Sequence, residues 1–285
     1  MIAMSNDCVP VPSRLRELLR RWVAEGRQPQ GGMIWNRSTW LASLPEHQGL
    51  LAELPDRLDR DHVKELGRRA GNSPGEAVRA FVATMVWGYG LVGYGAFRTA
   101  RVLRENDEAP RILREVALRT RRDGGADAFE WLGQHRLRYL GVSFATKYLF
   151  FCGGAEASPA LVLDRRVQRW LSRYADLHVS LNWNADDYRR YLCLVTDWSR
   201  ELDLKPDELE YLMFADDGSQ QIAAEMVSGN FDEVAVLDAL DEAATAFAEL
   251  PGGTDLYDLD DFERGVRQLR RIVLARGATR REPPE

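Results

Sequence analysis

The sequence predicts an all-α fold, and three observations carry that reading. Apolar residues recur at three- and four-residue spacing in one segment after another. Proline, glycine and capping residues punctuate those segments at helix-length intervals. No βαβ alternation appears, and the two runs that read as short strands, Ala160–Leu163 and His178–Leu181, have no partner pattern.

Residues 13–25 place Leu15, Leu18, Leu19, Trp22 and Val23 on one helical face, with Ser13 as the expected N-cap. Residues 26–36, rich in Gly, Pro and Gln, read as a loop, and short helices broken at Pro45 and Pro55 are expected over 37–70. Ser73 caps a helix that begins at Pro74 and runs through an apolar stretch to Trp87. A glycine-rich turn covers 88–95. Helices are then predicted over 96–105, 110–122, 127–134, a segment ending at Leu140, a new helix after Gly141, one opened by Asp164, 185–202 and 206–214. Two final amphipathic helices are expected over 231–249 and 259–276. The fold expected is helix–hairpin–helix-like with two packed helical lobes, and the chain divides into three regions, an N-terminal one over 1–72, a core over 73–215 and an acidic C-terminal one over 216–285.

Composition excludes several classes. With 45% hydrophobic and 29% charged residues the chain is an ordinary globular protein. No uninterrupted apolar run reaches the roughly 18 residues of a membrane span, and Asp7 stands where a secretory signal would be apolar. The three cysteines, Cys8, Cys152 and Cys193, are scattered, which fits a reducing, cytoplasmic setting rather than a disulfide framework. The histidines (His47, His62, His135 and His178) are far apart and no CxxC pair occurs, so no metal and no cofactor are expected.

The net charge of −6 conceals an asymmetry. From Arg136 to Arg173 seven basic residues face only Glu156 and Asp164, and from Arg98 to Arg122 eight arginines face four acids. From Glu201 to Gly265 the balance reverses, with 19 acids against Lys205 and Arg264. A basic middle and an acidic last third suggest one face for a polyanion, although solvated helix faces give the same runs.

Gly88, Gly90 and Gly93 satisfy GxGxxG, but the strand–helix frame of a dinucleotide site is missing. The glycines mark a tight turn flanked by Trp87, Tyr89, Leu91 and Tyr94. Such a turn wedges into a duplex or lines a base pocket, or it simply bends two packed helices. Residues 137–171, LRYLGVSFATKYLFFCGGAEASPALVLDRRVQRWL, carry the sharper signal. Gly141-Val142-Ser143 reads as a hairpin whose amides are candidates for holding a DNA phosphate. A loop and an apolar approach then lead to Asp164, at the head of a helix carrying Arg165, Arg166, Arg169 and Arg173.

That order of hairpin, loop and Asp-led basic helix resembles the helix–hairpin–helix DNA glycosylase superfamily. The strings Phe144-Ala145-Thr146-Lys147 and Leu163-Asp164-Arg165-Arg166-Val167 are similar to its 8-oxoguanine branch. The resemblance implies a base-excision enzyme acting as a monomer on duplex DNA that contains a modified base. It implies Asp164 as the carboxylate that stabilises the oxocarbenium-like sugar, beside its role as an N-cap. Lys147 matches a Phe-Ala-x-Lys string that carries a Schiff-base nucleophile. Counting without gaps from Gly141 instead puts that position on Ala145, about 200° away around the helix, and leaves a water-using enzyme. Gly141, Val142, Ser143, Arg98, Arg165, Arg166 and Arg169 would contact DNA, and Trp87, Tyr89, Leu91, Tyr94 and Phe144 would form the pocket or wedge. Ser143 replaces the second hairpin glycine of the family. The base would be 8-oxoguanine or a bulky modified phage pyrimidine such as glucosylated hydroxymethylcytosine, the latter implying antiviral defence. A non-catalytic helical DNA-binding protein is the alternative.

Overall fold

The computed structural model describes residues 9–92, 94–153, 159–216 and 269. Among them the chain is all-α. Twelve α-helices are accompanied by one 3-10 turn and a single two-stranded antiparallel contact. The helices are α1 (Ser13–Ala24), α2 (Arg37–Ser43), α3 (Gln48–Glu53), α4 (Arg60–Arg69), α5 (Pro74–Tyr89) and α6 (Tyr94–Arg104). They continue with α7 (Ala109–Arg122), α8 (Gly125–Gln134), α9 (Val142–Cys152), α10 (Arg165–Tyr174), α11 (Ala185–Leu202) and α12 (Pro206–Asp216). No helix among the described residues is long and apolar enough to cross a membrane. Apart from Leu269, the helices expected over 231–249 and 259–276 lie outside the described residues.

The centre is built by α5 and α9, which are apolar nearly all round and therefore bury nearly all round. Helix α5 starts as expected, with Ser73 Oγ accepting from the Glu76 amide and Pro74 in the first turn. It packs on α4, α6, α7 and α9, while α9 also meets α4, α7 and α8. Helices α10 and α11 both pack on α12, and α1 joins them there. There Asp216 accepts from both Arg14 Nε (2.9 Å) and Trp170 Nε1 (3.0 Å).

A glycine lets α4 and α9 cross closely. A Cβ on Gly67 of α4 would lie 2.0 Å from the Phe151 carbonyl oxygen of α9. Alanine gains about 1 kcal/mol of helix propensity over glycine, but a backbone carbonyl cannot swing aside as a side chain can. Gly67→Ala is therefore expected to destabilise the protein by about 2 kcal/mol net, read as a Tm lowered by roughly 4–8 °C.

Several expectations are corrected. Ser13 is not a cap: Pro12 holds that position, its carbonyl accepting from the Leu15 amide at 3.0 Å, and no side chain caps α1. Residues 26–36 are not all loop, because Met33–Ile34 pairs with Arg57–Leu58. Neither 160–163 nor 178–181 is a strand. The extended backbone of 160–163 is satisfied by side chains instead of a ladder: Tyr188 Oη donates to the Leu161 carbonyl (2.7 Å), Tyr191 Oη to that of Val162 (2.9 Å), and the Leu163 amide to Thr146 Oγ1 (3.0 Å). The segment before the hairpin is not helical to Leu140: α8 ends at Gln134, and the turn lies over 137–140. Its left-handed residue is Tyr139 (φ 69°), whereas Gly141 is extended and Ser143 is already in the first turn of α9. Ser143 thus carries no positive-φ strain. Helix α11 is capped from just outside its predicted start: Asn184 accepts from the Asp186 and Asp187 amides.

Candidate active site

Helix α9 brings a lysine into the interior. Lys147 is 7% exposed, and its stem lies where a Cβ on Gly88 would come within 3.3 Å of its Cδ. A lone ammonium at such depth costs several kcal/mol unless an anion meets it. Asp164, itself 9% exposed, meets it: Lys147 Nζ donates to Asp164 Oδ2 at 2.9 Å. The other oxygen, Oδ1, accepts from the backbone amides of Arg166 (3.1 Å) and Val167 (3.2 Å) at the start of α10. One carboxylate therefore serves as cap and as ion-pair partner through different oxygens.

The electrostatics follow from that geometry. Burial works to raise the Asp164 pKa, but the Lys147 ammonium, its hydrogen bond and the Val167 amide together hold it below the usual carboxylate range. The helix N-terminus adds in the same sense. The site thus presents a fixed, dehydrated negative charge beside an amine, with Phe144 on the same helix 5.4 Å from the ammonium.

The hairpin turn is held by Arg98, expected from the sequence as a DNA contact, and by Arg101 and Asn106, which the sequence did not single out. Arg98 Nε donates to the Tyr139 carbonyl at 2.7 Å, Arg101 lies 3.7 Å over the Tyr139 ring, and Asn106 bonds both the Arg138 amide (2.8 Å) and the Arg138 carbonyl (3.2 Å). Gly141 and the first residues of α9 follow directly, so the first-turn amides of Val142 and Ser143 have no carbonyl of their own helix to meet. Arg98 stands beside them: a Cβ on Gly141 would lie 3.9 Å from its Nη2.

The 87–95 segment divides. Trp87 is no wedge: it is 4% exposed and packs edge-on against Phe151 (5.0 Å), as core. Tyr89 stacks on Phe144 at 4.2 Å, and burial pushes its phenol up to about 12. Beyond Gly90, which caps α5 at φ 54°, Leu91 (59% exposed) and Tyr94 stand in solvent. Val92, Phe97 and Ile34 join them as exposed apolar residues, and Gly90 lies close to Met33 and Ile34. Phe97 follows Tyr94 by three residues, a helical spacing visible in the sequence, and the two rings are 6.0 Å apart.

The basic middle narrows. Arg104 pairs with Glu46, Arg111 with Glu108, Arg119 with Glu115 and Arg122 with Asp123. Arg114 binds the Gly71 carbonyl, and Arg121 those of Gly67 and Cys152. Arg104, Arg114 and Arg121 thus tie their helices to other segments, while Arg111, Arg119 and Arg122 meet acids on or at the ends of α7 itself. On α10, Arg165, Arg169 and Arg173 are exposed, while Arg166 lies 4.5 Å over the Phe214 ring. Both His135 and His178 are exposed. Among the described residues no group of three His, Cys, Asp or Glu side chains is arranged to hold a metal.

Comparison with known proteins gives one match. Residues 26–214 fit the family described as "Putative 8-oxoguanine DNA glycosylase OGG-like protein". No curated protein and no solved structure matches. The matched stretch covers most of the chain and contains the hairpin, Lys147 and Asp164 together, so the chain belongs to the 8-oxoguanine DNA glycosylase OGG-like family.

Proposed function

We propose that the protein excises a modified base, 8-oxoguanine first among candidates, from duplex DNA, with Asp164 and Lys147 as the reacting pair. The observation that carries this reading is the buried 2.9 Å contact between the two side chains at the head of α10. In the reaction the C1′–N bond breaks, its electrons leaving with the base, and positive charge develops on the sugar. The Asp164 carboxylate, kept ionised and dry, stabilises that charge. Lys147, once its proton has passed to the departing base, forms a bond from Nζ to C1′; the C1′–O4′ bond then opens as Nζ loses a second proton to water, giving an imine, and removal of a C2′ proton expels the 3′ phosphate.

The hairpin amides, Arg98 and the exposed arginines of α10 are the proposed phosphate contacts. Tyr89 and Phe144, already stacked, offer an aromatic wall for an extruded base, and Leu91, Tyr94 and Phe97 the apolar wedge that replaces it. Leu91→Ala combined with Phe97→Ala is expected to slow base release from a fully paired duplex by about tenfold, the equivalent of roughly 1.4 kcal/mol of unstacking support. The loss should be smaller when the target base is mismatched and already loosened. Equal losses on both duplexes would remove the wedge assignment.

The test of function is base release. Duplexes bearing 8-oxoguanine and T-even phage DNA are incubated with protein, then heated in alkali to break abasic sites. Breaks in the first name 8-oxoguanine. Breaks only in the second name a bulky modified pyrimidine and a defensive role. Salt-dependent duplex binding without breaks in either, unchanged by Asp164→Asn, would make this a DNA-binding protein and end the catalytic reading.

A further inference from the structure

Three neighbours lie against Lys147. The Gly88 backbone of α5 borders its stem, the Asp164 carboxylate holds its ammonium, and the Phe144 ring stands 5.4 Å from that ammonium. At 7% exposure the lysine cannot meet a sugar carbon until one of them withdraws. Gly88 is main chain inside a helix, and Asp164 is fixed by the two amides that it caps. Phe144 is half-buried in the first turn of α9, where a change of rotamer unwinds nothing.

Phe144 also lies where a base would lie. Its ring stacks on Tyr89 with centroids 4.2 Å apart and planes within 18°. A flat ring slipped between the two would need them roughly 7 Å apart, two carbon contact distances. An extruded base therefore takes the place of one ring and stacks on the other. The packing decides which. Tyr89 is held at its root: a Cβ on Gly95 of α6 would lie 2.5 Å from the Cβ of Tyr89, so the α6 backbone crowds the point from which the ring would turn. Phe144 is held at its tip, since Cε1 is the atom that a Cβ on Gly88 would meet at 2.6 Å, and a tip leaves such a contact by rotating.

We propose that the Tyr89 face now covered by Phe144 is the seat of the extruded base, and that the base reaches it by turning Phe144 aside, which uncovers Lys147 at the same moment. The seat takes a flat nucleobase, because what it offers is one ring face. Reaction is thereby confined to nucleotides that have left the stack: with no base on Tyr89, the lysine stays covered. The inference rests on the reading of Lys147 and Asp164 as the reacting pair.

Cover and seat are tested separately. The sequence has three lysines, Lys64, Lys147 and Lys205. Trace acetylation by acetic anhydride, read by peptide mass, compares Lys147 with the exposed Lys205 and with Lys64, which bonds Asp207 at 3.2 Å. Phe144→Ala is expected to raise the Lys147 rate severalfold while the other two hold. Phe144→Tyr, which keeps the ring, should label like the wild type. Unchanged Lys147 labelling in Phe144→Ala overturns the cover, and so does a rise shared with Lys64, which reports loosened helices instead. The seat is read in single-turnover base release from 8-oxoguanine duplexes, with protein below saturation. Tyr89→Ala is expected to slow release by about tenfold, the scale of one base–aromatic stack. The factor should be the same on paired and mismatched duplexes, because the seat acts once the base has left the helix, and Tyr89→Phe should keep the wild-type rate. No loss in Tyr89→Ala, or a loss that shrinks on the mismatch, overturns the seat. Labelling that rises as expected in a protein that releases no base would leave the cover standing and remove the reaction reading. Base release with labelling unmoved would do the reverse.

Discussion

Asp164→Asn is expected to lower single-turnover base release by a factor of about 10² to 10³, the scale of removing one preorganised electrostatic contact to a transition state. Asparagine caps helices about as well as aspartate, so Oδ1 of the new side chain still accepts from the Arg166 and Val167 amides and α10 keeps its start. What disappears is the charge. The sugar loses its counterion as positive charge develops, and Lys147, at 7% exposure, loses its counter-charge. Circular dichroism and a melting curve separate this from unfolding, since the helical signal should survive while the Tm falls. A rate within tenfold of wild type would show that the carboxylate does not carry the chemistry.

Lys147→Ala is expected to abolish borohydride trapping of the protein on damaged duplex and all strand breaks that form without alkali. Base release itself should fall less if water can take the place of the amine at C1′. The same substitution strips a buried carboxylate of its counter-charge, and breaking a buried pair by removing one partner costs about 3–5 kcal/mol. Its pH dependence carries the signature. In the wild type the folded Asp164 pKa lies below the usual carboxylate value. The stabilisation from the pair is therefore complete above that value and is lost as pH falls through the lowered folded one. Without Lys147, desolvation acts with less opposition and raises the folded pKa. The destabilisation relative to the wild type should therefore grow as pH rises through the carboxylate range. Urea unfolding of both proteins at about pH 4 and about pH 7 reads the difference. A Lys147→Ala protein whose pH profile parallels that of the wild type would mean that the pair is not coupled as the 2.9 Å contact requires. Trapping that persists would return the nucleophile to another residue.

Much of the helical framework was legible because helices are local: the Ser73-Pro74 start, the all-round apolar run of α5 and the Asp164 cap depend on residues within a few positions of one another. The resemblance likewise rested on contiguous strings, and it placed Asp164 at the head of its helix. Errors fell where the deciding partner is distant in sequence. Residues 160–163 look like a strand, yet Thr146, Tyr188 and Tyr191 satisfy their backbone. The hairpin turn shifted to Tyr139 because Arg98, Arg101 and Asn106 hold it from α6 and the turn that follows. The eight arginines of 98–122 look alike in sequence, and only their neighbours show that Arg104, Arg114 and Arg121 brace other segments while Arg111, Arg119 and Arg122 pair locally. Sequence alone determined the helical class and the order of hairpin, lysine and aspartate, because spacing and capping are one-dimensional. The register that brings Lys147 onto Asp164, the burial of Trp87, the exposure of Phe97 and the stacking of Phe144 on Tyr89 were decided only in the tertiary structure, because each depends on which helix faces meet.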